Sequence, residues 1–354
     1  MHRDDKRRLS FLLACTCVAL TSLGCGNDEG HAGEGGSGGD AGAGGAAGVG
    51  GTAGAGGGTP QGPLTLAKYA ESELWSDLER AIAIDSDDVI YLTDGDQVYA
   101  VAEGMVSIYL STAELEEVVG AGYVRIEFID VGPDDRLYIL NDPVVQPAAI
   151  LASSGRGDVA VHFEDFDEGP GIPHQIGVES PERILLVTLY DGLFAITDTG
   201  STEVYSQTEF QGGTNCGSEA FVVDGADYYY QPGCNGDDLF AGRNDGSSSG
   251  LLLESADVVE YFERMGEPDT HVWNFEGLSR HPDGGTVANV YGALIRIMDD
   301  GSFTQIPTEP KLWEVDETAG FTNGVVAVDS KGQVYIMNWS RSAIYRAARE
   351  PTGS

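Results

Sequence analysis

The residues best equipped for chemistry in this chain stand at Arg80, Glu127, His174, Glu219, Glu276 and Gly324, the last preceded by Asn323. Their spacings are 47, 47, 45, 57 and 48 residues. Three carboxylates, one imidazole, one guanidinium and one amide allow two readings. Carboxylates held close together cost energy unless a cation or a proton sits among them. Arg80 can be that cation, which makes the set a paired structural plug. A divalent ion such as Ca²⁺ on hard oxygen ligands is the alternative. Asp94, Asn141, Asp142, Tyr190, Asp191, Asn289 and Asn338 recur one hairpin further on. Of these, Asn289 and Asn338 join Arg80, Glu127 and His174 as candidate ligand-binding residues. Other chemistries are not indicated. No H-E-x-x-H or Walker loop is present, and no G-x-G-x-x-G stands before a helix. Among the six histidines, His162 and His271 are isolated and His281 sits in a turn-like tetrad, so no multi-histidine zinc site is expected.

The elements that would position this set come from a repeat. "RAIAIDSDDVIYL" from Arg80, "EFIDVGPDDRLYI" from Glu127 and "HQIGVESPERILL" from His174 align without a gap. "EAFVVDGADYYYQ" from Glu219, "EGLSRHPDGGTVA" from Glu276 and "GVVAVDSKGQVYI" from Gly324 complete the series. Each begins with an alternating apolar strand, passes a tetrad of turn residues and enters a second β-rich strand. Two further strands usually follow, as in Gln97–Val101 with Val106–Leu110 and Leu193–Thr197 with Glu203–Ser206. Four strands per 45–50 residues make one propeller blade, and six copies predict an all-β, six-bladed β-propeller over residues 63–350. The last repeat is one strand short, and Leu64–Tyr69 is spare. It is expected to close blade six as its outer strand.

Strand parity assigns the loops to two faces. First-to-second turns share one face and are tight: "DSDD", "GPDD", "ESPE", "DGAD", "HPDG", "DSKG". None has the spacing of a wrapped calcium loop, so these are read as turns. Second-to-third loops and blade-to-blade connections share the other face, where long, decorated segments gather. Ser111–Glu114 is a capping box that opens a helix ended by Gly120. Asp257–Met265 reads as a helix with Val258, Val259, Phe262 and Met265 on one side, and Glu71–Leu78 as a third. Phe163, Phe166, Phe210, Trp273, Trp313 and Phe321 are expected to form a rim there, with Trp273 a candidate ligand contact; packing of each ring on its own blade is the alternative. Cys216 and Cys234 fall on the same face of blade four and are expected to form a disulfide in an oxidising compartment.

The runs "VVAVDSKGQVYIMN" and "EGLSRHPDGGTVANV" resemble NHL-repeat and regucalcin–gluconolactonase propellers. The resemblance implies a divalent ion at the channel mouth, held by residues that open inner strands. Glu276-Gly277 and Asn323-Gly324 match such positions by type; a hydrolase built on them would take Glu219 as a further ligand and His174, whose pKa suits a proton shuttle near neutrality, as the acid/base group. The chain departs from the family in blade one, where Arg80-Ala81-Ile82 stands in place of a "GExPxW" segment. Propellers host many functions, so two readings stand. The first is a propeller that binds a small molecule or an envelope protein on the decorated face without catalysis. The alternative is a divalent-metal-dependent hydrolase of the lactonase type.

The N-terminal region carries an address. Arg3, Lys6, Arg7 and Arg8 precede an apolar stretch from Leu9 to Leu23, the pattern of a secretory signal over residues 1–24. "TSLGC" resembles a bacterial lipobox, which makes Cys25 the lipidation site; Gly26 in the next position resembles lipoproteins sorted to the outer membrane, and release into the medium is the alternative. Residues 26–62 contain 18 glycines and resemble the tracts of myxobacterial surface lipoproteins. Such a chain is flexible, with an end-to-end distance of about 33 Å. The whole sequence holds 57 acidic and 19 basic residues, a formal charge of −38. That balance repels nucleic acid and anionic membrane faces. Contact with the membrane is expected through the lipid alone, by a monomer, and residues 351–354 are a tail.

Overall fold

The computed structural model describes residues 62–75, 81–143, 147–164, 172–189, 191–210, 220–225, 228–232, 238–265, 275–290, 293–311, 314–315, 324–338 and 343–349. The signal, Cys25, Cys216, Cys234, Arg80, Glu219, Trp273 and Asn323 lie outside these residues. So do the side chains of Glu276 and Asn338.

The strands form six sheets. After β1 (Leu64–Glu71), blade one comprises β2 (Ile82–Ile84), β3 (Ile90–Thr93), β4 (Val98–Ala102) and β5 (Met105–Leu110). Blade two holds β6 (Ile126–Val131), β7 (Leu137–Asn141), β8 (Ala149–Gly155) and β9 (Asp158–Glu164). Blade three holds β10 (Ile172–Ser180), β11 (Arg183–Leu189), β12 (Gly192–Thr197) and β13 (Gly200–Ser206). Blade four holds β14 (Val222–Asp224), β15 (Tyr228–Pro232), β16 (Leu239–Arg243) and β17 (Ser249–Leu253). Blade five holds β18 (Phe275–Arg280), β19 (Thr286–Val290), β20 (Ala293–Ile297) and β21 (Phe303–Ile306). The innermost strands β2, β6, β10, β14 and β18 are neighbours in order around an axis.

Blade six closes the ring with both ends of the propeller. Its order is β22 (Thr308–Glu309), β1, β25 (Ala343–Ala348), β24 (Val334–Asn338) and β23 (Gly324–Val328), and β23 packs beside both β18 and β2. Leu64–Tyr69 is therefore the outer strand of blade six, as its alternation predicts. The parallel pairing of Leu64 with Thr308, which adds a fifth strand, carries no sequence signal. Antiparallel register fixes direction: Thr65 faces Ala348, and Ala347 faces Val334 next to the Asp329–Gln333 turn. The chain thus enters the propeller on the tight-turn face.

Burial follows the strand pattern. Blade-to-blade packing rests on apolar sets such as Leu140, Ile150, Ile176, Ile184 and Phe194 between blades two and three, all buried. The first-to-second tetrads are turns that also stitch blades together. Asp85 Oδ1 accepts from the N–H groups of Asp87 and Val89, and Asp329 Oδ1 from those of Lys331 and Gln333. Asp88 and Asp135 stand at φ 64° and 62°, and each reaches the preceding blade: Asp135 accepts from Ser86 N at 3.0 Å and Asp88 from Ser330 N at 2.9 Å.

The decorated face departs from expectation in three places. Helix α1 (Thr112–Val119) has the capping box of Ser111 and Glu114 and ends at Gly120. Helix α3 (Ser255–Met265), preceded by a single turn α2 (Gln207–Phe210), buries Val258 and Phe262 but leaves Met265 59 % exposed; the apolar stripe stops one turn early, where the helix clears the blade. Glu71 ends β1 rather than opening a helix, because its pairing with Ala343 extends the ladder. Phe163 lies in β9 and packs between blades two and three, and Phe210 is fully buried. Phe210 is therefore core, and Phe163 is a partly buried strand residue packed against the core. Phe166, Trp313 and Phe321 lie outside the described residues.

Candidate functional site

Inner strands open at the decorated end, and three of them open irregularly. The ladder slips between Ile126 and Phe128 in β6, between Pro173 and Gln175 in β10, and between Phe275 and Gly277 in β18. The extra residues are Glu127, His174 and Glu276. A β-bulge leaves one residue unpaired and re-aims it. Three of the six aligned positions are therefore singled out by backbone geometry, at one end of the channel. Glu127 is half-buried and forms an ion pair with Arg125. His174, on the neighbouring inner strand, is also half-buried. Glu276 shares the level through its backbone.

The loop residues that were candidates divide by burial. Asn289 is wholly buried in β19 and donates from Nδ2 to the Gly324 carbonyl at 2.8 Å, tying blade five to blade six. Asn141 closes β7 in the same manner: its Oδ1 accepts from Arg125 N at 2.8 Å and its Nδ2 donates to Tyr123 O at 3.1 Å. Both sit in strands rather than in the loops the sequence suggested, because ladder pairing with Gly277 and Ile126 holds them. Asp94 is spent on its own turn, accepting from the N–H groups of Asp96 and Gln97 and from the Tyr99 hydroxyl. Asp142 lies beside the Arg125–Glu127 pair; burial raises its pKa, and Arg125 opposes that rise. Gly277 has a packing reason of its own. A Cβ there would lie 2.7 Å from Val326 N and 2.8 Å from Val325 Cα, so only glycine lets the inner strands of blades five and six approach this closely.

Below the mouth, the channel is a cavity of about 270 Å³ lined by residues of the inner strands β2, β6, β14, β18 and β23. Its lining contains a carboxylate that the sequence reading passed over. Asp130, three residues after Glu127, accepts from Val131 N at 2.9 Å and from Val178 N of blade three at 2.8 Å. Burial pushes its pKa up to about 7, although those two N–H groups pull the other way. Ser279 holds the equivalent place in blade five and accepts from Val328 N of blade six at 3.0 Å. The signal was present: the aligned column reads Ala83, Asp130, Gly177, Val222, Ser279 and Ala327, two polar residues among small or apolar ones. Arg280 lines the far end of the channel, paired with Asp224 at 2.5 Å and lying over the Tyr230 ring.

Solved structures with this architecture are numerous. A Bacteroides thetaiotaomicron protein of unknown function superimposes with TM-score 0.56 at 13 % identity, over 80 % of this chain and 76 % of its own. A Xanthomonas campestris gluconolactonase gives 0.54 at 11 %, over 80 % and 89 %. A calcium-binding regucalcin from Agrobacterium tumefaciens gives 0.53 at 10 %, over 82 % and 96 %. The chain shares their propeller fold. At these identities the likeness reaches the fold and stops there. No family model matches the chain, and no curated protein matches it by sequence.

Among the described residues, no three His, Cys, Asp or Glu side chains come together as a metal site. The candidate ligands Glu219, Asn323 and the Glu276 side chain lie outside those residues. Of the charged side chains described at the mouth, Glu127 and Arg125 pair with each other, and Asp142 lies beside them. What the mouth offers is a set of hydrogen-bonding groups at the end of a closed ring.

Proposed function

We propose that this protein is a cell-envelope binding module. A lipid on Cys25 and the Gly-rich segment 26–62 tether a monomeric propeller, whose decorated face takes a small molecule or an envelope protein and no nucleic acid. One observation carries the reading. The chain enters the propeller on the tight-turn face, through β1, and the bulged residues Glu127, His174 and Glu276 open at the opposite face. A body tethered from one side presents the other, which is where loops over a rigid scaffold concentrate recognition. A Cys216–Cys234 disulfide in blade four would brace that face by about 3 kcal/mol.

The test is retention. The Cys25→Ser chain, immobilised, is expected to retain one envelope component that is lost with the double change Glu127→Lys and His174→Ala. Glu182→Lys, in a turn on the other face, is expected to retain it. Equal retention by all three chains would overturn the reading.

The lactonase reading is second. It is favoured by the bulged Glu127 and His174 on adjacent inner strands, a carboxylate and an imidazole at the level where the aligned Glu276 also opens, and by the fold likeness to the gluconolactonase. A bound divalent ion would polarise a lactone carbonyl, with Glu219, Glu276 and Asn323 holding it. His174 would then move the proton. Hydrolysis of a simple aldonolactone that is abolished by His174→Ala would move the account to this reading.

A further inference from the structure

On the tight-turn face, blades five and six enclose a groove of about 930 Å³ whose lining reverses the charge of the molecule. The chain carries three acidic residues for each basic one. This groove is lined by Arg296, Lys331, Arg349 and His281, with Asp283 its only carboxylate among the described residues. The four nitrogen-bearing residues come from β20, β25's end and two separate turns, so only the fold assembles them.

The donors are organised before any ligand arrives. Arg296 is held by the backbone: its Nε donates to Gly284 O at 2.9 Å and its Nη2 to Asp283 O at 2.8 Å. That leaves Nη1 outside these bonds on a fixed, planar fork. His281 Nδ1 accepts from Asp283 N at 3.1 Å, so the neutral ring carries its proton on Nε2. Burial, and then the Arg296 charge, lower the His281 pKa and keep the ring neutral, against a smaller pull from Asp283. Gly332 stands against this ring at φ 75°, where a Cβ would lie 2.9 Å from Nε2. Arg349 is exposed at the end of β25, and the Lys331 ammonium reaches across to Asp88 of blade one.

We propose that this groove is an oxyanion site that takes a phosphate group, with Arg296 and Arg349 supplying charge and His281 Nε2 a hydrogen bond. Guanidinium forks bind tetrahedral oxyanions with directed, charge-assisted bonds. Three donor groups suit the several oxygens of a phosphate. The overall charge of −38 does not forbid this, because at physiological salt its field is screened beyond about 8 Å. Two sources share the chemistry: free phosphate and the phosphodiester of a lipid headgroup. Gly62, the first of the described residues, lies on the groove. The headgroup source rests on the proposed anchor; the phosphate site does not.

The experiment uses the full chain carrying Cys25→Ser, which removes the anchor from the measurement. Titration with inorganic phosphate at constant ionic strength is expected to show binding that weakens roughly tenfold in Arg349→Gln, an exposed change that spares the fold. His281→Gln is expected to weaken it as well, and Arg264→Gln, on α3, to leave it unchanged. No phosphate binding, or equal weakening by Arg264→Gln, would overturn the proposal. A second arm separates the sources. Retention on phosphatidylglycerol vesicles that is lost in Arg349→Gln and competed by phosphate identifies the headgroup. Phosphate binding without vesicle retention identifies the free anion.

Discussion

Asp130 and Ser279 do the same work in different blades. Asp130 Oδ2 accepts the N–H of Val178 at 2.8 Å, and Ser279 Oγ accepts the N–H of Val328 at 3.0 Å. Each side chain lines the channel and latches its inner strand to the next blade. The difference is charge. A hydroxyl makes this bond at any pH, whereas Asp130 must hold a proton or a desolvated charge.

That difference predicts a pH dependence. Folding raises the Asp130 pKa from its ordinary 3.8 to about 7, so the folded state binds this proton more tightly than the unfolded chain. The stability it contributes is complete below about pH 4 and is lost as pH rises through about 7. Asp130→Asn keeps an acceptor for Val178 without the charge. Its Tm is expected to match the wild type near about pH 3.5, to exceed it by a growing margin as pH rises from about 4 to about 7, and to keep that margin near about pH 8. A gap that stays constant across that window would contradict the assignment.

Asp135 is expected to be a latch of the turn face. It stands at φ 62° and accepts from Ser86 N and Ser86 Oγ. Asp135→Gly loses those bonds but tolerates the backbone. Asp135→Ala loses the bonds and adds a left-handed penalty of about 1 kcal/mol. Chemical denaturation should rank wild type above glycine and glycine above alanine. The reverse order of the two variants would refute the account of this turn.

Asn289 is expected to act on stability. Asn289→Ala leaves the buried Gly324 carbonyl without the 2.8 Å bond from Nδ2. The cost of such an orphaned group is about 1–3 kcal/mol, read as a lower denaturation midpoint. An unchanged midpoint would show that the bond between blades five and six is dispensable.

The repeat made the architecture legible, because each blade restates one pattern of strand, turn and strand. Closure by Leu64–Tyr69 followed from one missing strand and one spare. The mouth was legible as a column of aligned positions, since Glu127, His174 and Glu276 break the ladder where the alignment places them. Several features were not legible. Asn141 and Asn289 look like loop residues by type, yet ladder pairing draws them into strands. Phe210 looks like a rim residue by location, yet its ring is wholly buried on the blade, and Phe163 packs partly buried against the core. The basic groove was hidden for a different reason. His281, Arg296, Lys331 and Arg349 are scattered along the sequence, and a composition of 57 acids against 19 bases masks a local reversal.

Anchoring is expected to depend on Cys25. In the native host, Cys25→Ser should move the protein from the membrane fraction to the soluble one. An unchanged distribution would remove the lipid from the account and leave the propeller's two faces equivalent with respect to the membrane.

The central claim is that recognition belongs to the decorated face. Amide hydrogen exchange of the Cys25→Ser chain, with and without the envelope component it retains, tests this most directly. Added protection is expected at the mouth and its loops, around Ser111–Glu127, Asn141–Asp142 and Ile172–His174. The turns Asp85–Val89, Gly132–Arg136 and Ser180–Arg183 should exchange as before. Protection confined to those turns would place recognition on the opposite face and contradict the account.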